Sequence, residues 1–168
     1  DENVADRVIL NFLSRVDEGK ENTAFILTAA QEDYGTYDPF YPYFYHQIYS
    51  PTRIDRSVLS LFGTQNSYSG GLHGNLNCVA ANYDLHTGDV LTLGSIMSAD
   101  AEPEDFVQLV IDNLKLNAED YYLYEDFEDS VQSRLCGDEN LFEDFYFTTD
   151  GLCFFFAPYE IAPYSTGI

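Results

Sequence analysis

The chain has 168 residues, 45% of them hydrophobic and 16% aromatic, and 29 acidic residues against 7 basic ones give a formal net charge of −22. This length suits one domain or two small lobes that share a core, and so many aromatic residues argue against a disordered acidic chain. Nucleic acids and anionic membranes are poor partners because both are negatively charged, and no apolar run reaches the ~20 residues of a membrane span.

The acid excess has two explanations that the sequence leaves open. Surface carboxylates keep a protein soluble, and a field of this sign also attracts basic proteins or metal cations and speeds their encounter. The start, DENVADRV, has no basic segment followed by an apolar one. We therefore expect it to be the beginning of a mature or trimmed domain.

The first elements predicted are a long helix and two strands. Apolar residues recur every four positions from Val4 to Val16, which is the spacing of one helix face. Gly19 is a candidate interruption, and the helix is expected to continue to about Tyr34. Gly35 and the prolines after it break the helix. Strands are then predicted over 43–49 and 53–65.

The second half is predicted to contain a loop, a hairpin, two helices and a second hairpin. The segment SYSGGLHGN (67–75) has the composition of a loop, and residues 77–93 alternate around an HTGD turn as a hairpin would. A helix is expected to begin near Pro103, and a second, acidic helix covers about 120–135. A final hairpin turns at TTDG.

The order of these elements predicts the fold class. Alternating strands and helices would favour a parallel sheet, whereas segregated ones favour an α+β fold with antiparallel sheets and helices packed on one side. A boundary between residues 66 and 76 would divide the chain into two small lobes, 1–66 and 67–168.

The closing stretch FFFAPYEIAPYSTGI (154–168) is predicted to combine a strand and a contact loop. Residues 153–156 form an unbroken apolar run, which is typical of a strand covered on both faces. Pro158 lacks the N–H that a central strand needs, so the chain must leave the sheet there. The two Pro-Tyr pairs then build a stiff loop with amphipathic tips.

The glycine loop invites two interpretations. Glycine backbones can approach an anion closely, but no phosphate-binding pattern follows GGLHG and the surrounding charge is negative. A structural loop is the better interpretation, and its residues are Gly70, Gly71, His73 and Gly74.

No pattern for a metal site or a catalytic centre stands out. The histidines at 46, 73 and 86 lack the close spacing of zinc motifs. The acidic runs at 124–130 and 136–145 lack the order of a calcium loop. Paired carboxylates of a glycosidase or a Ser-His-Asp site have no supporting motif. We therefore expect no enzyme, no metal and no cofactor.

The cysteines do not decide the redox compartment. Cys78, Cys136 and Cys153 are odd in number and form no C-x-x-C motif. One disulfide among them stays open, and the sequence does not choose the pair.

Three segments, in this order, resemble a known family: SYSGGLHGN, NYDLHTGDVLTLGSIM and FYFTTDGLCFFFAPYEIAPYSTGI. They are similar to the RsiV-like domain of unknown function. That domain occurs in the extracytoplasmic part of the anti-sigma factor RsiV and in the non-catalytic N-terminal region of the peptidoglycan deacetylase PdaC. The resemblance covers about 67–168, and Leu72 stands where the family more commonly has Ala. Residues 1–66 resemble the small lobe that often precedes this domain.

The resemblance implies binding rather than catalysis. RsiV-like ectodomains are lysozyme receptors whose loops enter the enzyme's cleft, and lysozyme is a basic protein that a charge of −22 would attract. An anti-sigma role needs a cytoplasmic segment and a membrane span, so it is not carried over. The implied partner-binding residues are Ser69, Pro158, Tyr159, Pro163 and Tyr164.

The family also implies an extracytoplasmic location for the chain. We expect a secreted, lipoprotein or membrane-anchored ectodomain whose anchor lies outside this chain. The alternative function is a glycan-binding module that holds peptidoglycan beside another cell-envelope protein.

Overall fold

The computed structural model describes residues 2–98, 100–116, 118–136 and 143–167. Helices and antiparallel sheets make up these ranges, which confirms the α+β fold. The helices are α1 (Glu2–Asp33), α2 (Leu93–Ile96), α3 (Pro103–Leu116), α4 (Ala118–Tyr121) and α5 (Phe127–Cys136), followed by a 3₁₀ turn (Tyr164–Thr166). The strands are β1 (Phe44–Ile54), β2 (Val58–Tyr68), β3 (Asn75–Asp84), β4 (Phe145–Phe147) and β5 (Leu152–Phe154).

Helix α1 runs without a break through Gly19, so the expected interruption there is wrong. A Cβ at Gly19 would lie 2.2 Å from the Oε1 atom of Gln47, so the missing side chain lets β1 approach the helix. The predicted stripe packs as expected: Val8 is buried, and the ring of Phe12 meets Tyr49 edge-on at 5.0 Å.

Strands β1, β2 and β3 form one antiparallel sheet in sequence order. The first hairpin turns at residues 55–57, inside the segment predicted as a single strand over 53–65. Asp55 causes this, because its carboxylate accepts hydrogen bonds from the backbone N–H groups of Ser57 (2.7 Å) and Val58 (2.9 Å). These bonds and Arg53 lower the pKa of Asp55 to about 2.

The hairpin predicted over 77–93 has one full strand. After β3 the return segment makes an isolated antiparallel bridge between Tyr83 and Val90. Thr92 then caps α2 through a reciprocal hydrogen-bond pair with Ser95. The residues that would have continued a second strand instead form the capping box at the start of α2.

The three-stranded sheet is covered on both faces. Ala81 and Tyr83 of β3 pack against α1, whereas Cys78 and Ala80, on the opposite face, pack against Phe155. This alternation is the period of two that a strand imposes on its side chains.

Strands β4 and β5 pair antiparallel as predicted around the TTDG turn. Their strand residues end at Phe154, earlier than the predicted 153–156, and the next two phenylalanines are buried beyond the strand end. Helices α3 and α5 contribute most of the remaining residues of the main core. That core contains Leu93, Val107, Val110, Ile111, Phe127, Val131, Leu135, Phe145, Phe156, Ile161 and Ala162.

A buried polar junction joins the two sheets. The hydroxyl of Ser60 donates to Asn82 Oδ1 (2.7 Å), and Asn82 Nδ2 donates to the carbonyl of Phe145 (2.8 Å). Ser60 Oγ also accepts from the backbone N–H of Phe147 at 2.9 Å. The predicted lobe boundary falls in the loop between β2 and β3, and these two strands pair with each other. The division into two lobes stays a prediction.

Candidate binding site

The glycine loop and the closing segment, 90 residues apart in the chain, lie against each other. The rings of His73 and Tyr164 stack, with centroids 4.7 Å apart, and the Tyr164 hydroxyl donates to the carbonyl of Gly74 at 3.3 Å. The Tyr159 hydroxyl lies 3.5 Å from His73 Nε2. We call residues 69–74 and 158–164 the loop–tail surface.

The tail half of this surface is fixed by hydrogen bonds within the segment. The N–H of Tyr159 donates to the carbonyl of Ala162 at 3.0 Å, and the N–H of Ala157 donates to Glu160 Oε2 at 2.8 Å. Tyr159 adopts a positive φ of 72°, which is uncommon for a residue with a side chain. Ile161 and Ala162 are buried in the core, while Tyr159 remains 56% exposed.

The loop half depends on glycine backbone conformations. Gly70 and Gly71 have φ values of 98° and 92°, a region that other residues rarely adopt. The Tyr68 hydroxyl donates to the carbonyl of Gly71 at 3.1 Å and ties the loop to its strand. Leu72, at the tip, is fully exposed.

The structure therefore brings some of the predicted residues together and separates others. Tyr159 and Tyr164 meet at His73, a residue for which only a structural role was predicted. Ser69 lines a separate cleft. Pro158 and Pro163 are half-buried next to the two tyrosines. Whether these residues contact a partner stays a prediction.

The cleft beside Ser69 was not anticipated. It has a volume of about 360 Å³ and lies between the end of α1, the following segment and the glycine loop. Half of its lining residues are aromatic, four of them tyrosines, and we call it the tyrosine cleft. The lining residues are Asp33, Tyr37, Pro39, Phe40, Tyr41, Tyr43, Tyr68, Ser69, Gly70 and Gly71. The run YDPFYPYFY was its only signal in the sequence.

One hydrogen bond organises the floor of the tyrosine cleft. The hydroxyl of Tyr43 donates to Asp33 Oδ2 at 2.7 Å. This bond, with burial and the carboxylate's charge, raises the pKa of Tyr43 to about 12, because ionising the phenol would lose the bond and set two negative charges together. The ring of Tyr43 also contacts Phe40 at 5.2 Å and Tyr68 at 5.7 Å.

The few basic side chains are occupied elsewhere. Six of the seven lysine and arginine residues form ion pairs with acids: Arg7–Asp89, Arg15–Glu143, Lys20–Asp17, Arg53–Asp55, Lys115–Glu128, and Arg134 with Asp144 and Glu160. The tyrosine cleft has no basic residue in its lining. The remaining carboxylates therefore leave a strongly negative surface.

A second, larger groove of about 570 Å³ lies between α3, β5 and the tail. Its walls are apolar, with Leu109, Phe154, Phe156 and Ile161 among them. Residues of α3 line this groove, and no residue of the glycine loop is among its lining.

The structure gives three further results on metals, cysteines and membranes. In the described ranges, no three His, Cys, Asp or Glu residues are grouped to hold a metal ion. Residues 137–142 of the acidic run 136–145 lie outside those ranges. The three cysteines form no disulfide with one another, and burial raises the pKa of Cys78 to about 11. Among the helices described, none combines the length and apolarity that would let it cross a bilayer.

Comparison with known proteins finds a family that matches the last part of the chain. Residues 98–168 match the family model described as "Protein of unknown function (DUF3298)". This segment is therefore similar to a DUF3298 domain. The match begins after the glycine loop, so the third of the three resembling segments lies within it. No curated protein matched the chain.

A solved structure supports the same fold beyond that segment. The crystal structure of a DUF3298 family protein from Pseudomonas aeruginosa PAO1 is similar, with a TM-score of 0.54 and 16% identity. The similarity covers 77% of this chain and 58% of that protein, so the chain spans less than two thirds of its length. At this identity the likeness shows the fold alone.

Proposed function

We propose that this chain is a non-enzymatic, extracytoplasmic bacterial binding domain whose partner is a basic protein directed at the cell wall, such as lysozyme. The observation that carries the proposal is the contact between the glycine loop and the tail. Two segments that resemble RsiV-like motifs meet through His73 and Tyr164. Leu72, next to His73 in the loop, and Tyr159, whose hydroxyl lies near His73, both remain exposed.

The chemistry of the loop–tail surface suits insertion into a partner. Leu72 and Tyr159 are large side chains held on restrained backbone, so little conformational entropy is lost when they are buried. Aromatic anchors of this kind carry much of the energy of protein interfaces. The net charge of −22 favours a basic partner and speeds its approach.

The test is titration of the chain into lysozyme. We expect salt-sensitive binding and inhibition of cell-wall hydrolysis. Tyr159→Ala and Leu72→Ala should each weaken binding by about tenfold or more, the usual size of a hot-spot loss. Phe25→Ala is the control, because Phe25 is an exposed aromatic residue of α1, away from the loop–tail surface. Lack of inhibition at tens of micromolar, weaker than about −6 kcal/mol, would reject the proposal.

The second candidate function is a glycan-binding module for peptidoglycan. It is favoured by the tyrosine cleft, since tyrosine faces stack on sugar rings. Stacking persists at high salt, whereas steering by charge is nearly abolished at ~0.5 M salt. A pull-down on purified cell wall at that salt concentration separates the two functions: retention supports glycan binding, and loss supports a basic protein partner.

A further inference from the structure

The tyrosine cleft lies where the C-terminal end of a long helix meets aromatic side chains. Asp33 is the last residue of α1, and the last turn of α1 contains no basic residue. The C-terminal end of a helix carries a partial negative charge and favours cations. A carboxylate at this position adds to that negative potential, so the end of α1 attracts positive charge.

The carboxylate of Asp33 keeps capacity to bind another group. Tyr43 donates to Oδ2 only, and an ionised carboxylate has about four acceptor positions on its two oxygens. The same hydrogen bond holds the carboxylate in place within the cleft. A bound cation would therefore meet an oriented charge.

Two aromatic rings are available beside this charge. Tyr37 and Tyr41 line the cleft and are 59% and 62% exposed. The face of a tyrosine ring attracts a guanidinium or ammonium group within about 6 Å. Aromatic faces next to a carboxylate are the combination that recognises organic cations.

The charges around the cleft favour a positively charged ligand. Six of its seven basic side chains pair with acids, and the lining of the cleft contains no basic side chain. A neutral sugar could stack on the rings and donate hydroxyl hydrogen bonds to Asp33, but it would gain nothing from the negative charge. An arginine or lysine side chain gains from both.

We propose that the tyrosine cleft receives the guanidinium or ammonium group of an arginine or lysine side chain from a basic protein, held by the Asp33 carboxylate and the faces of Tyr37 and Tyr41. The inference rests on the proposed function, because it assigns a recognised group to the same kind of partner. It places that group beside Ser69, Gly70 and Gly71, whereas Tyr159 and Tyr164 contact His73 and Gly74 of the same loop.

The direct test uses ethylguanidinium chloride as the probe and NMR of the full chain with ¹³C-labelled tyrosine. We expect saturable shifts of Tyr37 and Tyr41 with a dissociation constant on the order of 1–50 mM. Ethylurea, the neutral analogue, and sodium chloride at the same ionic strength are the controls. Equal saturation by ethylurea or by N-acetylglucosamine would overturn the inference.

Variants make the test specific to Asp33. Asp33→Asn keeps an oxygen that can accept the Tyr43 bond but removes the charge, and it should weaken ethylguanidinium binding at least about fivefold. Tyr37→Leu should weaken it by a similar factor. Phe25→Leu, on the same helix, should leave it unchanged. Unaltered binding in Asp33→Asn would also overturn the inference.

Lysozyme binding separates this inference from the proposed function. If lysozyme binds the wild-type chain and binds Asp33→Asn and Tyr37→Leu equally well, the cleft is not used, and the proposed function survives. If ethylguanidinium saturates the cleft but lysozyme does not bind, the proposed function fails for lysozyme, and the cation site stands.

Discussion

The buried amide of Asn82 is predicted to hold the two sheets together, and Asn82→Ala tests this. Asn82 and Ser60 are 1% and 0% exposed, so water cannot replace their partners. The substitution removes the acceptor of the Ser60 hydroxyl and the donor to the Phe145 carbonyl, at 2.7 and 2.8 Å. Each buried group that loses its partner costs about 1–3 kcal/mol.

For the two groups together, the expected loss is therefore about 2–6 kcal/mol of the free energy of unfolding. This is a large part of the 5–15 kcal/mol typical of a domain. A cavity alone could give part of such a loss, so a second variant is needed. Asn82→Asp preserves the size and the bond from Ser60, but it places a carboxylate oxygen beside the Phe145 carbonyl. It should be at least as destabilising as Asn82→Ala at pH 7.

Urea unfolding followed by circular dichroism measures both losses as a shift of the midpoint at unchanged slope. Asn77→Ala is the matched control, because Asn77 lies on the same strand, is exposed, and should change stability by no more than about 0.5 kcal/mol. A loss below about 1 kcal/mol for Asn82→Ala, or wild-type stability for Asn82→Asp, would refute the reasoning.

Three further predictions concern the loop, the first hairpin and a thiol. Gly70→Ala should disturb the tyrosine cleft more than Gly71→Ala, although both glycines have a positive φ. A Cβ at Gly70 would lie 2.8 Å from the Tyr43 hydroxyl, whereas one at Gly71 would meet nothing within 4 Å. Measured by ¹³C NMR, the pKa of Tyr43 should fall below its wild-type value only in Gly70→Ala. Asp55 has its pKa lowered from 3.8 to about 2, so its stabilisation is present above pH ~4 and lost as the pH falls through about 2; Asp55→Ala should remove this acid-dependent part of stability in urea titrations at several pH values. Cys78 should react with iodoacetamide at pH 8 about a hundredfold more slowly than a thiol of pKa 9, because its pKa of about 11 leaves correspondingly less thiolate; a rate equal to that of the unfolded chain would contradict this.

The helices and the hairpins with strong local patterns could be predicted from the sequence. Helix α1 follows the four-residue spacing from Val4 to Val16, and the β4–β5 hairpin follows its TTDG turn. The turn of the first hairpin was misplaced because apolar and polar residues alternate from Arg53 to Gln65, on both sides of Asp55. The hydrogen bonds that the Asp55 carboxylate accepts make the turn, but they leave no mark on that alternation.

The binding surfaces could be predicted only in part. The glycine loop and the Pro-Tyr tail were identified by resemblance, but the stacking of His73 on Tyr164 depends on a contact between distant segments. The tyrosine cleft depends on the same kind of contact, since Asp33, Tyr43 and Gly70 come from a helix end, a strand approach and a loop. No local pattern identifies such a combination.

The burial of Phe155 has a practical consequence for expressing residues 98–168, the segment that matches the family model, as a separate fragment. Its ring packs against Cys78, Ala80 and Phe62, all of which precede residue 98, where the family match begins. A fragment cut at that residue would therefore expose an aromatic face and leave β4 without the sheet that covers it. The unit to express and crystallise is longer than the unit that the family match delimits, and it includes β2 and β3.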